Sequence, residues 1–186
     1  MTAAPKRLSA DQYLAREERA KQRSEFVAGE VYAMVGTSML HNRLCLNFSG
    51  ALLAGLAKKP CHVFMSDVKL RVEKLDAFFY PDVMVSCGVV LDQTKSFLTD
   101  AQLVIEVLSK GTSNIDRELK LQAYRKLPSL KEYVLVSQGK RQVELYRRGP
   151  DVGWTYLSFE GEQTMKLESV GMKLPLSTLY AGTKVS

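Results

Sequence analysis

Short runs of alternating apolar and polar residues recur along the chain, and they predict a β-sheet. Residues 24–36 alternate around a glycine turn, which is typical of a hairpin. Residues 61–74 predict one strand whose second half alternates apolar with charged positions. A second hairpin is predicted from 132–138 and 142–148, which flank another glycine. Residues 154–159 predict a further strand.

Other segments have helical spacing. A charged helix capped by Ser9 is predicted over 10–23. The segment 38–57 predicts a long core helix capped by Ser38, because its apolar residues recur at every fourth position. A third helix is predicted over 115–127, after a loop formed by Gly111, Thr112, Ser113 and Asn114. Strands flanked by helices on this scale predict a mixed α/β sheet.

Length and composition indicate one soluble domain over residues 1–186, which is long enough to bury a proper core. Hydrophobic residues make up 46% of the chain and charged residues 25%, and no apolar run is long enough to span a membrane. Because the N-terminus lacks an apolar signal core, we expect a cytoplasmic protein with no membrane partner. The net charge of +6 favours a polyanionic partner such as nucleic acid.

The chain has three cysteines, Cys45, Cys61 and Cys87. Their number is odd and no CxxC motif is present, which argues against a disulfide framework or a zinc ribbon. We therefore expect three buried thiols.

Two predicted strands each carry one acid inside an otherwise apolar run. These acids are Asp82, in FYPDVMV, and Glu106, in AQLVIEVLS. A carboxylate in a sheet interior costs several kcal/mol unless a cation, hydrogen bonds or protonation compensates it. Asp116, Lys120 and Tyr124 follow at intervals of four and share one face of the third helix. We therefore expect the two acids and the lysine to converge on one point.

The ordered set of Pro81-Asp82, Glu106 and Lys120 resembles the PD-(D/E)XK nuclease superfamily, and more closely its Uma2-like branch. The superfamily's usual lysine lies two residues after the second acid, where this chain has Leu108. The Uma2-like branch moves that lysine to the following helix, and Lys120 fits the migrated position. The resemblance extends roughly from Tyr13 to Arg147, because the EFVAGEVYAM and LKEYVLVSQGKRQVELYRR segments also resemble this branch.

The resemblance implies a restriction-endonuclease-like mixed β-sheet flanked by helices, with a core at about 13–147. It also implies a metal-dependent endonuclease that hydrolyses DNA phosphodiester bonds. Mg²⁺ or Mn²⁺, held by Asp82 and Glu106, would neutralise charge at the phosphate and activate water. The ammonium group of Lys120 would hold that water or offset charge on the pentacovalent phosphate.

Four further residues are candidates for support. Asp67 is either a third metal ligand or an exposed partner of a neighbouring basic residue. Glu30 matches the acid of the family-like AGE opening and is a fourth candidate metal ligand. His41 either touches phosphate and assists acid-base chemistry or packs at the start of its helix. Tyr124 either bonds a carboxylate or packs in the core.

Other interpretations stay open at this point. Glu106 and Lys120 could form a buried ion pair that serves only the fold. The protein could then be a catalytically inactive nucleic-acid-binding or oligomeric scaffold, or a phosphodiesterase for small molecules. A homodimer is expected because cutting both DNA strands calls for two active sites, and the predicted hairpin edge 133–147 could pair between subunits.

Overall fold

A computed structural model describes residues 7–34, 36–88, 91–92, 94–109, 116–151 and 153–186. The helices are α1 (Ala10–Glu17), α2 (Met39–Leu56), α3 (Leu121–Tyr124) and α4 (Leu176–Leu179), and a π-helical turn (Asp116–Lys120) leads directly into α3. The strands are β1 (Ser24–Val27), β2 (Glu30–Ala33), β3 (Cys61–Met65), β4 (Lys69–Val72), β5 (Ala77–Phe79), β6 (Val83–Cys87), β7 (Phe97–Leu98), β8 (Leu103–Val107), β9 (Glu132–Val136), β10 (Gln142–Arg148), β11 (Trp154–Glu160), β12 (Thr164–Leu167) and β13 (Met172–Pro175).

The strands form two mixed sheets and a hairpin. The larger sheet has the order β11-β10-β9-β8-β6-β3, and its one parallel pair among the described strands is β8 with β9. The smaller sheet has the order β2-β1-β5-β4-β7, and β12 pairs with β13. These mixed sheets flanked by helices are the predicted architecture.

The larger sheet separates two apolar cores. On one face, α2, α4 and the β12–β13 hairpin cover Ile105, Val107 and their neighbours. On the other face, α3 and strands of the smaller sheet pack over Val104 and Leu135. All five residues of β8 are buried, as the nearly continuous apolar run predicts for a central strand. In the described part of the chain, no helix is both long and apolar enough to cross a bilayer.

The helices α1 and α2 begin directly after their predicted caps, but α1 ends earlier than predicted. The Ser9 side chain accepts a hydrogen bond from the Gln12 amide at 3.2 Å, and the Gln12 side chain accepts one from the Ser9 amide, which completes a capping box. The carboxylate of Glu17 then accepts hydrogen bonds from the amide and hydroxyl of Ser24. This contact turns the chain into β1 and ends the helix early.

The segment 61–74 is two strands, so the prediction of one continuous strand is wrong. Ser66 has a φ of +44°, which turns the chain between β3 and β4. As a result β3 joins the larger sheet beside β6, while β4 joins the smaller sheet beside β5. Asp67 therefore lies in the connection between two sheets.

The expectation of three thiols is also wrong. Cys61 and Cys87 lie directly opposite each other in the antiparallel β3–β6 pair, with Cα atoms 4.0 Å apart, and they form a disulfide. Cys45 is the free cysteine and is buried against the α2 side of the sheet.

The hairpin edge expected at 133–147 does not exist. Strand β9 is hydrogen-bonded to β8 on one side and to β10 on the other, and β10 is covered in turn by β11. The part of the homodimer prediction that relied on this edge therefore loses its basis.

The third predicted helix is tied to the sheet at its C-terminal end. Its predicted start at residue 115 and its loop, Gly111 to Asn114, lie outside the described residues. Arg148, the last residue of β10, donates hydrogen bonds to the carbonyls of Leu127 (2.7 Å), Arg125 (3.1 Å) and Leu130 (2.7 Å). The guanidinium also lies over the ring of Trp154, 4.6 Å from the centroid. These contacts fix the segment that carries Lys120 relative to the larger sheet.

Candidate active site

The two strand acids lie at one end of the antiparallel β6–β8 pair. The register joins Val83 to Ile105 and Met84 to Val104, and extending it by one residue places Asp82 opposite Glu106. The carboxylate of Asp82 takes part in this end of the sheet, because its Oδ2 accepts a 2.7 Å hydrogen bond from the Val107 amide. Both acids therefore have positions fixed by the sheet.

Lys120 lies beside Glu106. Its Nζ is 3.1 Å from Glu106 Oε1, and both side chains are almost fully buried, with exposed fractions of 8% and 3%. The Tyr124 hydroxyl donates a 2.9 Å hydrogen bond to the same carboxylate oxygen. One face of the π-helical turn and α3 thus meets the acid of β8, which is the part of the predicted convergence that involves Glu106 and Lys120. Tyr124 both bonds the carboxylate and packs in the core between Phe79 and Tyr133.

A third carboxylate, Glu25 of β1, completes this group. Glu25 Oε1 lies 3.0 Å from Lys120 Nζ and accepts a 3.1 Å hydrogen bond from the Tyr80 amide. Sequence patterns do not single out Glu25, because it occupies an alternating position in a short strand beside the turn acid Glu30. Val27, on the same strand face, is half-buried, whereas Phe26 on the opposite face is fully buried, so alternation alone does not point Glu25 inward.

On the other side of the sheet end, Asp82 meets two residues of α2. His41 Nε2 lies 3.2 Å from Asp82 Oδ2, and Cys45 Sγ lies 3.5 Å from His41 Nδ1. His41 and Cys45 are one helical turn apart and both are buried. His41 therefore contacts the acid that was predicted to bind metal, and it also packs at the start of α2.

The local charges act on neighbouring groups. Burial raises the pKa of the Tyr124 hydroxyl well above its ordinary value, and the carboxylates of Glu106 and Glu25 raise it further, so the hydroxyl stays a donor at neutral pH. Burial likewise raises the pKa of the Cys45 thiol, with further contributions from Asp82 and Glu106. Glu25 and Glu106 bring two formal negative charges to the ammonium group of Lys120.

The residue before the Pro81-Asp82 pair is held by a second buried network. The Tyr80 hydroxyl donates to Glu17 at 3.1 Å and accepts from Lys69 Nζ at 3.4 Å. Burial lowers the pKa of Lys69, which sits 5.3 Å from the centroid of the Tyr80 ring. Because the Tyr80 amide bonds Glu25, this network also supports the carboxylate beside Lys120.

Two predicted acids are placed differently. Asp67 forms an ion pair with Arg23, rather than with a neighbouring basic residue, and its side chain is 73% exposed. Glu30 lies opposite Val27 in the β1–β2 hairpin, is exposed, and accepts a 2.8 Å hydrogen bond from the Tyr32 hydroxyl. The structure thus brings Asp82, Glu106, Lys120, His41 and Tyr124 together, but it joins neither Asp67 nor Glu30 to them by a contact between described residues.

The similarity to known proteins covers nearly the whole chain. Residues 10–177 match the model of a protein family, Uma2, that is described as "Putative restriction endonuclease". The chain belongs to the Uma2 family. Its relatives include two Synechocystis sp. proteins, both called uncharacterized. The first, sll1609, is 35% identical over 94% of this chain and 99% of its own length, and the second, slr1290, is 31% identical over 95% and 93%.

A solved structure shares the fold of this Uma2 chain. It is the crystal structure of a putative nuclease belonging to DUF820 from Anabaena variabilis, with a TM-score of 0.76 over 94% of this chain and 98% of that one. The sequence identity is 14%, so the likeness concerns the fold. It confirms the predicted restriction-endonuclease-like α/β architecture.

Proposed function

We propose that the protein is a metal-dependent endonuclease that hydrolyses DNA phosphodiester bonds. One observation carries the proposal: Asp82 and Glu106 lie opposite each other at the end of two neighbouring strands, with the Lys120 ammonium group 3.1 Å from Glu106. Membership of a family described as "Putative restriction endonuclease" and the fold shared with a DUF820 protein support it.

The residues at this sheet end suit Mg²⁺ or Mn²⁺. Both ions prefer oxygen ligands, and Mg²⁺ is commonly held by one or two carboxylates together with water and substrate phosphate. The Asp82 contacts to His41 and to the Val107 amide both use Oδ2, and its side chain is 16% exposed, so Oδ1 would be the oxygen that takes a cation. Asp82 and Glu106 would hold the ion, which when bound supplies charge neutralisation at the phosphate and a more acidic water.

The other residues of the site would each have a separate role in the reaction. Lys120, held by Glu106 and Glu25, would orient the attacking water or offset charge on the pentacovalent phosphate. Tyr124 would act as a positioning residue for Glu106, and His41 would do the same for Asp82. Glu25 takes the supporting place that the sequence assigned to Glu30 and Asp67.

An exposed pocket opens at the start of the helix that carries His41. A pocket of about 470 Å³ at the start of α2 is lined by Thr37, Ser38, Met39, Asn42, Arg43 and Leu46 and begins within one turn of His41. Many of the basic residues on the third helix and the last hairpin are engaged within the chain: Arg117 pairs with Glu144, and Arg147 with Glu132. We therefore assign phosphate-backbone contacts to Arg43, on the exposed face of α2, supported by the net charge of +6.

Cleavage of both DNA strands requires two active sites, so we also propose a homodimer. Light scattering behind a size-exclusion column measures its mass directly. A monomer at micromolar concentration, with or without Mn²⁺, would contradict the dimer and leave the single-strand nicking proposal standing.

The decisive experiment is incubation of supercoiled plasmid with the protein and Mn²⁺ or Mg²⁺, with EDTA as the metal-free control. Asp82→Asn, Glu106→Gln and Lys120→Met preserve side-chain size, and Lys126→Met is a matched control because Lys126 is exposed. We expect nicking by wild type and Lys126→Met that is lost in EDTA and in the other three variants. Equal behaviour of all variants would refute the catalytic assignment.

The Glu106–Lys120 ion pair favours a second candidate, a DNA-binding scaffold without turnover, because the lysine charge is already matched inside the protein. Retention of DNA binding in a gel-shift assay with no nicking under any metal condition would establish it. Hydrolysis of a model diester such as bis-nitrophenyl phosphate without cleavage of DNA would instead indicate a small-molecule phosphodiesterase.

A further inference from the structure

We infer that His41, Cys45 and Asp82 form a second cation site, selective for a thiophilic divalent ion such as Zn²⁺. One ligand atom from each side chain, an imidazole nitrogen, the thiol sulfur and a carboxylate oxygen, lies within 4.8 Å of the other two. Neither the family description nor the names of the relatives mention such a site.

The local structure holds the three side chains in place. His41 and Cys45 are four residues apart on α2, so they project from one face of a helix. Ser38 caps the start of that helix by accepting a 3.1 Å hydrogen bond from the His41 amide. Asp82 is fixed from the sheet side by the Val107 amide. Small side-chain rotations on rigid elements would therefore bring all three ligand atoms to one ion.

The donor set separates this site from the proposed nuclease metal. Mg²⁺ takes oxygen ligands, whereas an imidazole and a thiolate together favour Zn²⁺ or Co²⁺. Three protein ligands leave a fourth tetrahedral position for water.

Asp82 is a ligand in both proposed metal sites, so an ion bound at one site affects the other. This consequence rests on the proposed nuclease activity. A Zn²⁺ ion on the α2 side would draw on the negative charge of the Asp82 carboxylate and so weaken its hold on Mg²⁺ beside Glu106. Binding of Zn²⁺ would therefore inhibit cleavage in competition with Mg²⁺. Cys45 contributes to the zinc site alone, so its removal should spare cleavage and relieve the inhibition.

The site is tested without any activity by adding Co²⁺ to the full-length protein in non-reducing buffer. We expect a thiolate-to-cobalt charge-transfer band and the intense visible bands of tetrahedral cobalt, saturating at one equivalent, and we expect Zn²⁺ to remove them because it binds such sites more tightly. Cys45→Ala should lose the charge-transfer band. Ser49→Ala, at another buried position one turn further along α2, should keep it. Absence of the band in wild type, or its persistence in Cys45→Ala, would overturn the site.

The inhibition is tested separately with plasmid nicking in fixed Mg²⁺ and increasing Zn²⁺. Loss of a direct ligand should raise the inhibitory Zn²⁺ concentration roughly tenfold or more in Cys45→Ala, since even outer partners of metal ligands are worth that much. Equal inhibition of wild type and variant would refute the competition. If neither protein cleaves DNA, the proposed nuclease fails, while the cobalt spectrum still decides the cation site.

Discussion

Lys120 Nζ and Glu106 Oε1 are 3.1 Å apart in a part of the protein where water has almost no access. A buried charge that loses its partner is far more costly than an exposed one, because no solvent replaces the lost interaction. The same lysine also meets Glu25, so two carboxylates share its one positive charge. Stability and the proposed chemistry therefore depend on the same ammonium group.

Replacing Lys120 with Met should lower the free energy of unfolding by about 3 to 5 kcal/mol in metal-free buffer, since Glu25 and Glu106 lose their shared cation. Urea denaturation measures the loss. Lys126→Met, which changes an exposed lysine, should differ little from wild type. Mn²⁺ should restore part of the stability of the Lys120 variant; equal stability of the two variants would contradict the buried ion pair.

Two tyrosine–glutamate hydrogen bonds have similar lengths but differ in burial. Comparing them measures how much burial adds to the stabilisation that such a bond provides. Tyr124→Phe removes the 2.9 Å bond to buried Glu106 and should cost about 1.5 to 3 kcal/mol, the usual range for a hydrogen bond to a charged group. Tyr32→Phe removes the 2.8 Å bond to exposed Glu30 and should cost less than about 0.5 kcal/mol. Thermal unfolding of both variants provides the comparison, and similar costs would argue against the assigned role of burial.

The third acid of the site can be identified by a set of charge-removing substitutions. Glu25→Gln should reduce metal-dependent nicking roughly hundredfold, because it loosens Lys120. Glu30→Gln and Asp67→Asn should cleave like wild type, since both side chains are exposed and paired elsewhere. Loss of cleavage in either of the latter two, with Glu25→Gln active, would restore the assignment made from the sequence.

Tyr180 should make stability fall in alkaline solution. Burial raises its pKa from 10.0 to about 12, although hydrogen bonds with the backbone of Gln142 and Ser137 act in the opposite direction. Above pH 10 the unfolded chain loses this proton while the folded protein keeps it, so the stabilising contribution disappears as pH rises towards 12. Over that interval wild type should lose on the order of 2 to 3 kcal/mol relative to Tyr180→Phe. Urea titrations at several pH values test this, and a constant difference would contradict it.

The disulfide makes a simple prediction about thiol content. Three cysteines less the two in the Cys61–Cys87 bond leave one thiol, so denatured protein should react with one equivalent of a thiol reagent, and with three after reduction. The bridge spans a sequence separation of 26 residues, and its reduction should cost about 3 to 4 kcal/mol. Three reactive thiols without reductant would exclude the bond.

What the sequence could predict depended on short-range patterns. Asp82 and Glu106 stood out because each interrupts an apolar strand, and Lys120 and Tyr124 followed from helical spacing. Those signals were sufficient to place four residues of the site near one another. The long helix and its Ser38 cap were equally local and were predicted with nearly their observed bounds.

What escaped prediction depended on strand register and backbone angles. The disulfide requires Cys61 to lie opposite Cys87, which follows from β3–β6 pairing and from nothing in the cysteine spacing. The positive φ of Ser66 turns the chain so that β4 joins a different sheet. A serine within an apolar run does not indicate such a turn, because serine also occurs in ordinary strands. Glu25 reaches Lys120 only because β1 lies across the π-helical turn in the folded protein.

Arg148 is the last residue of β10, and three carbonyls at the end of the lysine-bearing helix depend on it. The next strand, β11, pairs with β10, and the ring of its Trp154 packs against the guanidinium group of Arg148. The smallest functional fragment of the chain therefore has to include β11. A fragment that ends at residue 147 would retain every acid of the site, but it would lose the Arg148 contacts that fix the position of Lys120 relative to those acids.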